Sequence, residues 1–125
     1  MLGAEFQRGI RELRAHGLTY DILIFPKQLP AAIELVRNFP AQPFVLDHIA
    51  KPFIKDGLVS PWREQIRELA KCPNVLCKVS GMVTEAKWNA WLAQLPFTGE
   101  THDASGEFTG YWIRMSTDGA SLRPR

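Results

Sequence analysis

The 125 residues are 46% hydrophobic and 22% charged, a balance that describes one globular domain and excludes a disordered or collagen-like chain. With 15 basic and 13 acidic residues intermixed in sign, the net charge of +2 forms no stripe suited to nucleic acid. No apolar run is long enough to span a membrane, and the opening residues lack the apolar stretch of a secretory signal, so the expected compartment is the cytoplasm.

Phe6, Ile10 and Leu13 recur at i, i+4 and i+7 with arginines and glutamate between them, which predicts an amphipathic helix stopped by Gly17. The apolar run 20–25 (YDILIF) predicts a buried strand. Pro30 opens a second helix whose Ala32, Leu35, Val36 and Phe39 face a core, and Pro40 closes it. A second strand is predicted over 44–49 (FVLDHI). Ser60 reads as an N-cap with Pro61 at the first helical position, ahead of a helix showing Trp62, Ile66, Leu69 and Ala70 on one face. A third strand follows over 75–80 (VLCKVS). Thr84 reads as the cap of a last helix with Trp88, Trp91, Leu92 and Leu95 on its apolar face.

Strands separated by helices of this length can be joined only by crossovers, so they run parallel in an α/β fold. The helices cover either both faces of an open sheet or the outside of a barrel. Residues 98–125 lose all period and are rich in Gly, Ser and Thr, which predicts a divergent, poorly ordered tail beyond a folded segment 1–97. Phe108, Tyr111, Trp112 and Ile113 are the exception, forming either an exposed extended stretch or one docked on an uncovered sheet edge.

In parallel α/β folds ligands bind beyond the carboxyl ends of the strands, which singles out the residues just after each apolar run. His48 is the most chemical of them: its imidazole can ligate a metal, polarise a carbonyl or move a proton, or simply be satisfied by a backbone carbonyl. Asp47 adjoins it but points to the opposite face unless the chain bends at Ile49-Ala50, and so is expected to hold a loop N–H or a lysine. Gln28 and Lys51 follow the first and second strands. Lys51 reads as either a substrate contact or a solvated loop lysine. Lys78, within the third strand, either points into a polar interior or is paired. Ser80-Gly81 permits a close backbone approach at a strand end. His16 and His102 read as surface residues. Cys72 and Cys77 lack the spacing and second pair of a zinc site and read as reduced thiols.

The stretches GLTYDILIFPKQLPAAIELVRNFP, FVLDHIAKPFIKDG and PWREQIRELAKCPNVLCKVSGMVTEAKW, in that order, resemble the amidohydrolase-related family of metal-dependent hydrolases, in particular its fuconolactonase and rhamnonolactonase group. The D-H-x-x-K-P and K-V-S-G-M-V-T-E-A stretches carry the likeness, which runs from about Phe6 to Trp91. It implies a (β/α)8 barrel, of which this length holds roughly half, since a complete one takes about 250 residues. The three strands resemble the fifth, sixth and seventh.

The resemblance further implies hydrolysis of a sugar lactone or similar cyclic ester, with His48 as a metal ligand or the group that polarises the lactone carbonyl, and Gln28 and Lys51 on substrate oxygens. A divalent metal, zinc or manganese, is implied for some members and not for others. The family's H-x-H after its first strand and aspartate after its eighth have no counterpart here, and Phe25-Pro26-Lys27-Gln28 stands where many metal-dependent members place a histidine. The expectation is therefore a partial barrel, weakly active or inactive alone. Beyond Leu92 the sequence departs from the family as a frameshift or misjoined gene would. The alternative is a non-catalytic fragment or small binding module that associates through open edges at its first and third strands.

Overall fold

The computed structural model describes residues 1–87 and 111–114. The first apolar stripe forms α1 (Ala4–Ala15): Ile10 is buried, and Phe6 and Leu13 pack on the same core. The chain leaves the helix at Gly17, whose φ of +67° suits glycine and few other residues. β1 (Tyr20–Ile22), β2 (Phe44–Leu46) and β3 (Val75–Val79) then pair in parallel. α2 (Leu29–Asn38), with proline in its first turn, and α3 (Trp62–Ala70) form the crossovers.

The register decides which α/β architecture this is. Ile22, Leu46 and Cys77 lie side by side, and with Phe44 and Val75 they join one core with α1, α2 and α3. Asp21, Val45 and Leu76 take the alternate positions and stand outside that core. All three helices thus cover one face of the sheet. With right-handed crossovers, a strand order that never reverses among β1, β2 and β3 produces this arrangement, whereas a doubly wound sheet must reverse to cover both faces. The three parallel strands are a section of barrel wall.

β4 (Tyr111–Arg114) pairs antiparallel with β3, setting Ile113 opposite Cys77 and Tyr111 opposite Val79. The extended stretch in the tail therefore docks on a sheet edge. This corrects the expectation of an open edge at the third strand; among the described strands the outer edges belong to β1 and β4. Being antiparallel, β4 is not the next strand of a barrel whose strands are all parallel.

Two expected caps are also corrected. Ser60 does not cap α3: Pro61 flanks the helix without a side-chain cap, and the Arg63 and Gln65 amides donate to the Val59 and Pro61 carbonyls at 2.8 and 3.1 Å. Backbone carbonyls supply the acceptors expected of the serine hydroxyl. Thr84 lies inside α4 (Met82–Glu85), its hydroxyl donating to the Gly81 carbonyl at 2.6 Å. The helix starts early because Gly81, at φ +68°, turns the chain immediately after β3. Trp88, Trp91, Leu92 and Leu95 lie outside the described residues.

At the amino ends of the strands, buried Gln42 and half-buried Asn74 tie the loops together. Gln42 donates through Nε2 to the Leu18 and Pro43 carbonyls at 2.8 and 2.9 Å, and Asn74 Nδ2 donates to the Phe39 and Gln42 carbonyls at 3.0 Å each. This end is built for stability, leaving the opposite end for chemistry. No helix among the described residues is long and apolar enough to cross a membrane.

Both cysteines are free and buried. Burial pushes the Cys77 thiol from its ordinary 9.0 up to about 12; the Ile49 backbone N–H opposes the rise and the Asp47 charge adds to it. A raised folded-state value means that the neutral thiol's contribution to stability is complete below pH 9 and is lost as the pH climbs toward 12. The melting temperature is expected to fall across that window by less in Cys77→Ala than in the parent, as measured by circular dichroism.

Candidate active site at the carboxyl ends of the strands

β2 is read from the sequence as running to residue 49, but it ends at Leu46. The chain then enters a tight left-handed turn in which His48, Ile49, Ala50 and Lys51 have φ of 50, 51, 57 and 50°. This conformation costs an L-residue about 1–2 kcal/mol, and for β-branched Ile49 it is an outlier. The turn persists because its surroundings hold it. Ile49 and Ala50 are buried, the Lys51 N–H donates to the His48 carbonyl at 2.8 Å, and the Trp62 indole N–H donates to the Ile49 carbonyl at 2.8 Å.

The turn carries half-buried His48 to the end of β3, where its Nδ1 lies 2.9 Å from Ser80 Oγ. Gly81 is needed there on two counts. Its φ is +68°, and a Cβ added to it would sit 2.8 Å from His48 Nδ1. With Nδ1 engaged by Ser80, Nε2 is the ring nitrogen left for a ligand.

Asp47 faces Lys78 of β3, Oδ1 to Nζ 3.9 Å, so the carboxylate is paired with a lysine; Lys78 stands with Leu76 on the face of β3 turned away from the core, so its pairing and its inward direction go together. Among the described residues no hydrogen bond joins Asp47 to the His48 ring. The Gln28 side-chain oxygen accepts the Phe25 backbone N–H at 3.0 Å, which fixes the turn after β1 and leaves the amide NH2 group as a donor for a ligand. Lys51 Nζ lies 5.3 Å from the centre of the Phe25 ring, a cation–π contact joining the second loop to the first. The structure therefore gathers His48 with Ser80 and Gly81, and Lys51 with Phe25 and the Gln28 turn. Ser80 as the partner of His48 and Trp62 as the anchor of its turn escape a reading of the sequence, in which Trp62 is only a core residue. The sole local signal is the Ser-Gly pair at a strand end.

A family profile described as amidohydrolase matches residues 2–109. The chain belongs to the amidohydrolase family. It is 42% identical over 94 residues to L-fucono-1,5-lactonase of Burkholderia multivorans, covering 71% of this chain and 32% of the lactonase. The L-fucono-1,5-lactonase of Burkholderia ambifaria is 44% identical over 77 residues, 62% of this chain and 27% of that enzyme. A crystal structure of a Burkholderia multivorans amidohydrolase with bound zinc superposes with a TM-score of 0.64 at 43% identity, covering 69% of this chain and 31% of that one. The chain thus spans about a third of the length of these relatives, and its fold is the matching section of their barrel.

Members of this family typically depend on a divalent metal. The residues described here do not by themselves fit one: no three His, Cys, Asp or Glu side chains come together as a ligand group among them. His48 offers a single nitrogen, Asp47 faces Lys78, and Cys77 is held as a neutral thiol.

Proposed function

We propose that these residues build one side of the site of a hydrolase acting on a sugar lactone or a similar cyclic ester. The observation that carries this reading is the delivery of His48 to the carboxyl end of the barrel wall, its ring fixed through Nδ1 on Ser80 beside Gly81, in a chain similar to two L-fucono-1,5-lactonases. As water adds to the lactone carbonyl carbon, negative charge builds on the carbonyl oxygen, and Nε2–H of His48 donates to it. Collapse of that adduct breaks the ring C–O bond, the ring oxygen takes up the proton that the attacking water gives up, and an open hydroxy acid leaves. The Gln28 amide and the Lys51 ammonium donate to substrate hydroxyl oxygens at the rim. No step is assigned to a metal. A reducing cytoplasmic location is in keeping with the two buried free thiols.

The test is acid release from L-fucono-1,5-lactone in a pH-indicator assay. The parent chain is expected to exceed His48→Gln by about 100-fold, the loss typical of removing one preorganised donor to an oxyanion. A parent rate no greater than that of buffer would mean that this section of barrel does not turn the lactone over alone, and an unchanged rate in the variant would contradict the role of His48.

A further inference from the structure

The left-handed turn that presents His48 is conformationally expensive, and none of its four residues is glycine, so its local sequence does not account for it. What holds it is tertiary. The Ile49 carbonyl is buried at the centre of the turn and receives the Trp62 indole N–H at 2.8 Å, a contact between α3 and the loop after β2. Trp62 is itself 4% exposed, so its ring cannot yield easily, and Ala50 within the turn is fully buried. The imidazole is held by Ser80, and the missing Cβ of Gly81 leaves room for it. Without the indole N–H, the Ile49 carbonyl would be a buried acceptor with no donor, and the turn would lose its main reason to stay left-handed.

We propose that Trp62 is a positioning residue for His48, acting through the Ile49 carbonyl to hold the turn that brings the imidazole onto Ser80. Its importance for catalysis rests on the hydrolase reading above; its action on the ring does not. Two-bond proton–nitrogen spectra of histidine-labelled protein report the imidazole directly. In the parent, His48 is expected to show one fixed tautomer. In Trp62→Phe, which keeps an aromatic ring, although a smaller one, and removes the N–H, its nitrogen signals are expected to move to the averaged values of a free imidazole.

Adding Ala50→Gly separates positioning from packing. Ala50 sits at φ +57° and 0% exposure, so glycine there lowers the cost of the turn while removing a buried methyl. If Trp62 acts through the turn, the double variant recovers the parent His48 signals. If Trp62 only fills space, the double variant is worse than the single.

Should Trp62→Phe fail to fold, hydrogen exchange of the Trp62 indole proton in the parent gives the answer: it is expected to be protected at least about 100-fold over an exposed indole, as for a core hydrogen bond. Exchange at the exposed rate, unchanged His48 signals in folded Trp62→Phe, or no recovery on adding Ala50→Gly would overturn the proposal. Lactone hydrolysis measured on the same samples keeps the two ideas apart, since a fixed His48 ring without turnover counts against hydrolysis by this chain and leaves the role of Trp62 standing.

Discussion

Replacing Gly81 with alanine is expected to destabilise the chain by about 2–4 kcal/mol, combining the left-handed penalty with overpacking, and to push His48 off Ser80. At φ +68° any Cβ is strained, and this one would lie 2.8 Å from His48 Nδ1 and 3.2 Å from Cγ. The ring cannot simply step back, because its backbone is fixed in the turn that Trp62 and the core hold. Urea unfolding of the variant measures the total. A double-mutant cycle with His48→Ala divides it, since removing the imidazole removes the clash and leaves only the conformational part. A cost that stays the same without His48 would mean that the close approach is energetically unimportant.

Phe44→Ala is expected to cost about 3–5 kcal/mol, as truncation of a buried aromatic does, which is a large share of the total stability of a domain this size. Phe44 is 1% exposed in the central strand of the parallel section. Its ring meets Tyr20 edge-on at 6.3 Å, and Tyr20 meets Phe6 in the same way at 5.6 Å, so a single aromatic chain joins β2, β1 and α1. Thermal melts should show the variant largely unfolded at 37 °C. A melting temperature close to the parent's would mean that this ring is not at the centre of the core.

The element order and the buried stripes were legible because they rest on local periodicity: Ile10, Leu35 and Leu69 are buried as their spacing requires. From periodicity alone the barrel wall was legible only as one of two architectures, and the resemblance to the amidohydrolase-related family pointed to it. What decides for it, the single covered face, is a property of strand order and register, which periodicity does not report. The candidate site was legible as a place, the carboxyl ends of the strands, and His48 as its most chemical residue. Its construction was not. Nothing in the run His48-Ile49-Ala50-Lys51 announces four left-handed residues, and Ile49 argues against them; the carbonyl at the centre of the turn is held by a tryptophan 13 positions away, and room for the imidazole is left by a glycine just after β3. The Ser60 and Thr84 caps failed for a related reason, because backbone carbonyls and the Gly81 turn supplied what those hydroxyls would have supplied. The docking of β4 depended on a distant edge, and sequence alone left it as one of two outcomes.

The central claim is the proposal that a cyclic ester is received at the carboxyl ends of the strands, where His48, Gln28 and Lys51 stand in the loops after β2 and β1, and binding tests it most directly. Titrating the nitrogen-labelled chain with a lactam isostere of L-fucono-1,5-lactone, which presents the same carbonyl and resists hydrolysis, should shift the His48 ring and Gly81 amide signals first, with Gln28 and Lys51 following. Saturable shifts confined to those residues, and abolished in His48→Gln, are the predicted result. Shifts that fall elsewhere in the chain, or none up to millimolar ligand, would contradict the account.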